Sequence, residues 1–138
     1  MPATATTSKA ASLEAIYDSL HQLLSRYAPP CKAKAGAVRG KKDLHLTIPK
    51  AVVVPGAYQG KPVEVDLASL ILQKDYVGFY FMPIYIEPAL KTTLSPSLTK
   101  LLQGKTCFHV KKLDHDLLQH IESALEIGVK NYKRRGWL

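Results

Sequence analysis

The sequence predicts an α+β fold, a two-layer sandwich with N- and C-terminal helices on one face of a mostly antiparallel sheet of about five strands. Three observations predict it. Apolar residues recur at helical spacing over 13–28 and again over 117–132. Between these segments they alternate, as they do in half-buried strands. Two amphipathic helices can then cover one face of the sheet, in the order α-β-β-β-β-α-β-α.

The first helix carries Leu13, Ile16, Tyr17, Leu20, Leu23, Leu24 and Tyr27 on one stripe. Ser12 is placed to cap it, Glu14 sits near its positive end, and Pro29-Pro30 stops it. Residues 1–11 read as a disordered arm, which leaves 12–138 as one domain. Residues 32–48 read as a basic hairpin turning at RGKK, with Leu44, Leu46 and Ile48 opposite His45 and Thr47. Three prolines and two glycines make 49–62 an irregular loop, with YQGK as a turn. A strand follows from Val63 through LASLIL, and QKD links it to an aromatic strand over Tyr76–Tyr85. Ser95 as cap, Pro96 at the first helical position and Gly104 past the end write a short helix. KTCFHVK is one more strand. The last helix opens on Asp114 and closes on Lys133, Arg134 and Arg135, cations suited to the negative end of its dipole.

Composition excludes several classes. No apolar run is long enough to span a membrane, and the N-terminal residues lack the apolar core of a signal peptide. Cys31 and Cys107 then read as free thiols in a cytoplasmic protein. CxxC, HExxH, P-loop and GxSxG spacings are all missing. No catalytic set emerges, so a non-enzymatic protein is expected. The net charge of +8 is uneven. Lys32, Lys34, Arg39, Lys41 and Lys42 form one basic patch, and Lys133, Arg134 and Arg135 another. Such fields attract nucleic acid or an acidic protein.

The aromatic strand has two parities. Val77, Phe79 and Phe81 share one, and Tyr76, Gly78, Tyr80 and Met82 the other. The tyrosine set suits the open face, because each hydroxyl can stay wet there. Tyr76, Tyr80 and Met82, with His45, would form a surface for a protein partner, self-association or a stacked base. Folding of the loop over this face is the alternative, and both stay open. Cys107 and His109 share the open face by parity, as do Glu64 and Asp66, and form one candidate metal set. Glu14, Asp18 and His21 stand at helical spacing and form another, suited to weakly bound iron.

The run YVGFYFMPIY, then LSPSLTKLLQGKTCFHVKK, then a helix closing on YKRRGWL resembles the YdhG-like group of small bacterial domains of unknown function. The specific likeness covers about residues 75–138. That group is itself similar in element order to frataxin-like iron chaperones. The resemblance implies iron held by carboxylates of the first helix and the neighbouring sheet edge. It also implies contact with iron–sulfur assembly partners through the exposed sheet face. Frataxin-like proteins bear an acidic ridge on that helix, whereas this one offers Glu14 and Asp18 only.

Overall fold

The computed structural model describes residues 9–38 and 41–138. In chain order the elements are α1 (Lys9–Ser25), β1 (Lys32–Val38), β2 (Lys41–Thr47), β3 (Val52–Val53), β4 (Pro62–Val63), β5 (Asp66–Leu72), β6 (Val77–Phe81), α2 (Pro83–Ile86), α3 (Pro96–Thr99), β7 (Leu102–Gln103), β8 (Cys107–Val110) and α4 (His115–Arg134). Six strands form one antiparallel sheet in the order β1-β2-β5-β6-β8-β7, and β3 pairs separately with β4. The fold is therefore α+β as expected, with one more strand in the main sheet than the sequence suggests.

The apolar stripe of α1 is buried throughout, from Leu13 to Leu24. So are Ile121, Leu125 and Tyr132 of α4. The turn just past the end of α1 meets α4. The Tyr27 hydroxyl donates to Glu126 at 2.7 Å, and Arg26 pairs with Glu122 at 3.5 Å. Beneath the two helices lie Leu44 and Leu46 of β2, Leu70 of β5, Val77, Phe79 and Phe81 of β6, and Phe108 and Val110 of β8, all essentially without solvent contact. Register explains the selection. Leu44 pairs with Leu70, Leu70 with Phe79 and Phe79 with Phe108, so a single parity from four strands forms the floor of the core.

At Gly128 of α4 a Cβ would lie 2.9 Å from the Phe81 ring and 3.0 Å from Pro83. The missing side chain is what lets α4 descend onto β6. The Tyr132 hydroxyl, one turn on, donates to the Asp66 carbonyl at 2.8 Å. Gly136, with φ +80°, then turns the chain so that the Trp137 ring packs edge-on against Tyr132 at 4.9 Å.

Several boundaries differ from the sequence expectation, each for a local reason. Helix α1 already includes Lys9, so Ser12 lies inside it and does not cap it. Ala10 and Ala11 are strong helix formers and extend it toward the N-terminus. The arm expected over 1–11 otherwise lies outside the described residues. The aromatic strand ends at Phe81, because Pro83 has no N–H for the ladder and opens α2 instead. The expected strand from Val63 splits into β4 and β5. Val65 directs its carbonyl to the Ile48 N–H, next to a register shift at Leu46/Thr47. Ser95 does cap α3, accepting from the Ser97 N–H at 3.1 Å, but that helix stops at Thr99. Leu102 and Gln103 join the sheet as its edge strand instead of continuing toward Gly104. Asp114 caps α4 as expected, accepting from the Leu117 N–H at 2.8 Å.

Gly128→Val should force the Phe81 and Pro83 contacts apart and destabilise the protein by about 1–3 kcal/mol. Urea unfolding measures it. An unchanged midpoint would mean that α4 can lift from β6 without loss.

Candidate binding face

The helices leave the other face of the sheet to polar and aromatic side chains. A continuous row of Cα partners crosses it from Lys34 through His45, Ser69, Tyr80 and Cys107 to Gln103. A parallel row runs from Gly36 through Asp43, Ile71 and Gly78 to His109. Strand pairing therefore brings together His45, Tyr80, Cys107 and His109, which are scattered in sequence. Tyr76 joins them from just before β6, its ring stacked on the His109 imidazole at 3.7 Å and 10°.

Three local arrangements make up the face. In the first, His45 stands between two carboxylates. Its Nε2 is 3.3 Å from Asp43 Oδ2 and its Nδ1 is 3.2 Å from Asp66 Oδ2. Satisfying both takes a proton on each ring nitrogen, or a proton on one carboxyl. Burial holds the Asp66 carboxyl above its usual range, and the His45 contact pulls it partway back.

In the second, Tyr80 folds back over Gly78. A Cβ at Gly78 would lie 2.8 Å from the tyrosine Cε1, so the glycine is the cradle in which the ring rests. Burial pushes the Tyr80 hydroxyl up to about 12, with Cys107 adding to the rise, and the hydroxyl also meets the Gln73 side chain. The Cys107 thiol is raised by burial and pulled back by the Tyr80 hydroxyl.

The third is the basic edge. Lys32 and Lys34 reach Glu64 at 2.9 and 3.6 Å, and Lys41 donates to Gln73 at 2.7 Å. The Lys32 and Lys34 contacts hold the Glu64 carboxyl below its usual range.

The remaining sequence candidates lie elsewhere. Met82 is not on the open face: it precedes α2 and packs half-buried against the core, because the strand has already ended. Thr47, expected to be open, is buried beside the register shift. Lys42 has the parity of Leu44 and pairs with Glu14 of α1 at 3.7 Å, so the hairpin lysines divide between the two faces. Arg39 lies outside the described residues. Lys133 and Arg134 are exposed in the last turn of α4. Arg135 is not part of a free basic patch. It pairs with Glu87 at 2.9 Å, donates to Asn131 at 3.0 Å and lies 5.3 Å over Trp137.

Neither metal set assembles. Among the described residues, no group of three or more His, Cys, Asp or Glu side chains is arranged to hold a metal ion. Glu14 turns to Lys42, and His21 lies 3.4 Å from the Ser25 hydroxyl. Cys107 and His109 are each engaged with a different tyrosine. Asp43 and Gly78 are the site residues that sequence reasoning missed. A glycine inside a strand is itself a signal of close approach. Asp43 stands two residues from His45 on one strand, so alternation alone could have placed the two side by side; what sequence could not show is Asp66, which β5 brings to the other ring nitrogen.

The thiols are placed for inertness. Burial pushes Cys31 up to about 11. The rate of Cys107 alkylation by iodoacetamide should still be climbing at pH 9.0, the ordinary thiol value, with its midpoint above it. Tyr80→Phe removes the hydroxyl that lowers it, so labelling at fixed pH should slow. Mass spectrometry of the Cys107 peptide reads the rate, and faster labelling in the variant would contradict the assigned contact.

None of the described helices is long and apolar enough to cross a membrane. No protein-family model, no curated protein and no solved structure matches the chain.

Proposed function

We propose that the protein is a non-enzymatic binding domain that takes single-stranded nucleic acid on the open face of its sheet. One observation carries the reading. The Tyr80 ring laid over Gly78 and the stacked Tyr76–His109 pair put flat π surfaces on a sheet that the helices cover from behind. Every base has a π face, so such a platform accepts bases with little regard to sequence. Lys41, and the one positive charge left over where Lys32 and Lys34 share the single Glu64 carboxylate, supply cations for the backbone on the β1–β2 side, within a chain of net charge +8. An acidic protein would use the lysines but has less use for the half-buried rings beside them.

The test is fluorescence anisotropy with a labelled ten-nucleotide oligouridylate at low and high salt. Tyr76→Ala and Tyr80→Ala should each cost about 1–3 kcal/mol, roughly 5- to 150-fold in affinity. Changing Lys32 and Lys34 to Gln should make the salt dependence shallower instead. Binding that follows the lysines and ignores both tyrosines would replace this reading with a purely charged surface for an acidic partner.

Frataxin-like iron handling is the second reading. What favours it is only proximity: Asp18 and His21 line, with Asp43, one surface hollow of about 410 Å³, without being arranged there as a set of metal ligands. Lys42 also lines that hollow, and a cation there opposes a metal ion. Anaerobic Fe(II) titration followed by amide NMR decides the matter. Broadening centred on Asp18, His21 and Asp43, absent with Mg(II), supports iron. The nucleic-acid reading expects no site-centred broadening.

A further inference from the structure

A second concavity of about 540 Å³ opens where the β7–β8 edge meets α3 and the start of α4. This is ample for a small metabolite. Its lining separates into two kinds of group. Lys100, Lys111 and Lys112 bring three ammonium groups, and His109 and His120 bring two imidazoles. All three lysines are exposed, and among the described residues none has a carboxylate within ion-pair distance. This sets them apart from Lys32, Lys34 and Lys42, whose charges are answered within the fold. The other kind is polar and acidic. Asp114 is spent on the α4 cap, which leaves Asp116, Ser97 and Gln103 as acceptors and donors. Leu101 and Leu117 add an apolar wall.

We infer that this cleft binds a phosphorylated sugar. A phosphate monoester offers several oxygens and close to two negative charges, which match a cluster of unpaired lysines. A simple anion would have no use for Asp116, whose charge repels it. A sugar hydroxyl does, because a carboxylate accepts hydrogen bonds from hydroxyls, and Ser97 and Gln103 can serve others. The leucines suit the C–H face of the ring. The site is distinct from the stacking face of the sheet. It shares His109 and the edge residue Gln103, so occupancy should also be felt at the Tyr76 ring stacked on that imidazole.

Ribose 5-phosphate, inorganic phosphate and ribose, each titrated into the labelled full chain and followed by amide NMR, test the assignment. The expected result is saturable shifts at Lys111, Lys112, Leu117 and His120, with ribose 5-phosphate binding more tightly than phosphate or ribose. Lys111→Gln with Lys112→Gln should weaken ribose 5-phosphate more than about tenfold. Lys91→Gln with Lys130→Gln, at exposed positions that do not line the cleft, should leave it unchanged. Asp116→Asn should shrink the preference for ribose 5-phosphate over phosphate. If the paired variant does not fold, Lys100→Gln alone carries the same expectation in weaker form. Linear, unsaturating shifts spread over all lysines would overturn the site, as would equal affinity in the Lys111/Lys112 variant.

Discussion

The seat of the Phe81 ring against Gly128 decides which face of the sheet is closed. A side chain on Gly128 would hold α4 away from β6, and the Tyr132 hydroxyl would then miss the Asp66 carbonyl. Once Phe81 points inward, β-strand alternation leaves no freedom for its neighbours. Phe79 and Val77 must also enter the core, and Tyr80 and Gly78 must face away. A slip of one residue would exchange the two sets, exposing Val77, Phe79 and Phe81 and burying the Tyr80 hydroxyl. The surface chemistry of the outer face is thus a consequence of how the inner face closes.

The two strand-facing glycines act on opposite sides of the sheet in the same physical way. Gly128 leaves room for Phe81 and closes the core, while Gly78 leaves room for Tyr80 and shapes the surface. In each case a ring occupies the volume of an absent side chain. Tyr80 does not project freely into solvent, because its hydroxyl is tied to Cys107 and Gln73. Ordering a ring before it meets a ligand lowers the entropy lost on binding. A pre-set platform of this kind supports a binding role.

Much of the architecture could be read from periodicity, because it depends on side chains within one element. The stripes of α1 and α4, the Asp114 cap and the inward parity of Phe108 and Val110 are all local properties. What escaped depends on partners far along the chain. Leu102 and Gln103 become a strand only because β8 returns beside them. Nothing in the first helix reveals that Glu14 will meet Lys42. Met82 shares the parity of Tyr80, yet Pro83 ends the ladder one residue later and the alternation stops having meaning. The open face was legible as a set of residues, and its geometry was not, since the order β2-β5-β6-β8 is a tertiary fact.

Charge follows a similar division. A net +8 says only that an anionic partner is favoured somewhere. The fold then distributes that charge unequally. Arg26, Lys32, Lys34, Lys42 and Arg135 are answered by Glu122, Glu64, Glu14 and Glu87, so their fields are partly cancelled at short range. Lys100, Lys111 and Lys112 keep theirs beside a concavity. An exposed ion pair contributes little to stability, but it does remove a cation from the pool able to meet a ligand. On the outer face the titratable groups are matched in the same way, with His45 between two carboxylates and Cys107 against Tyr80. A general base needs a lone pair free to take a proton, and a nucleophile needs a lowered pKa. Groups whose donors and acceptors are already engaged with one another have little left to offer a reacting atom.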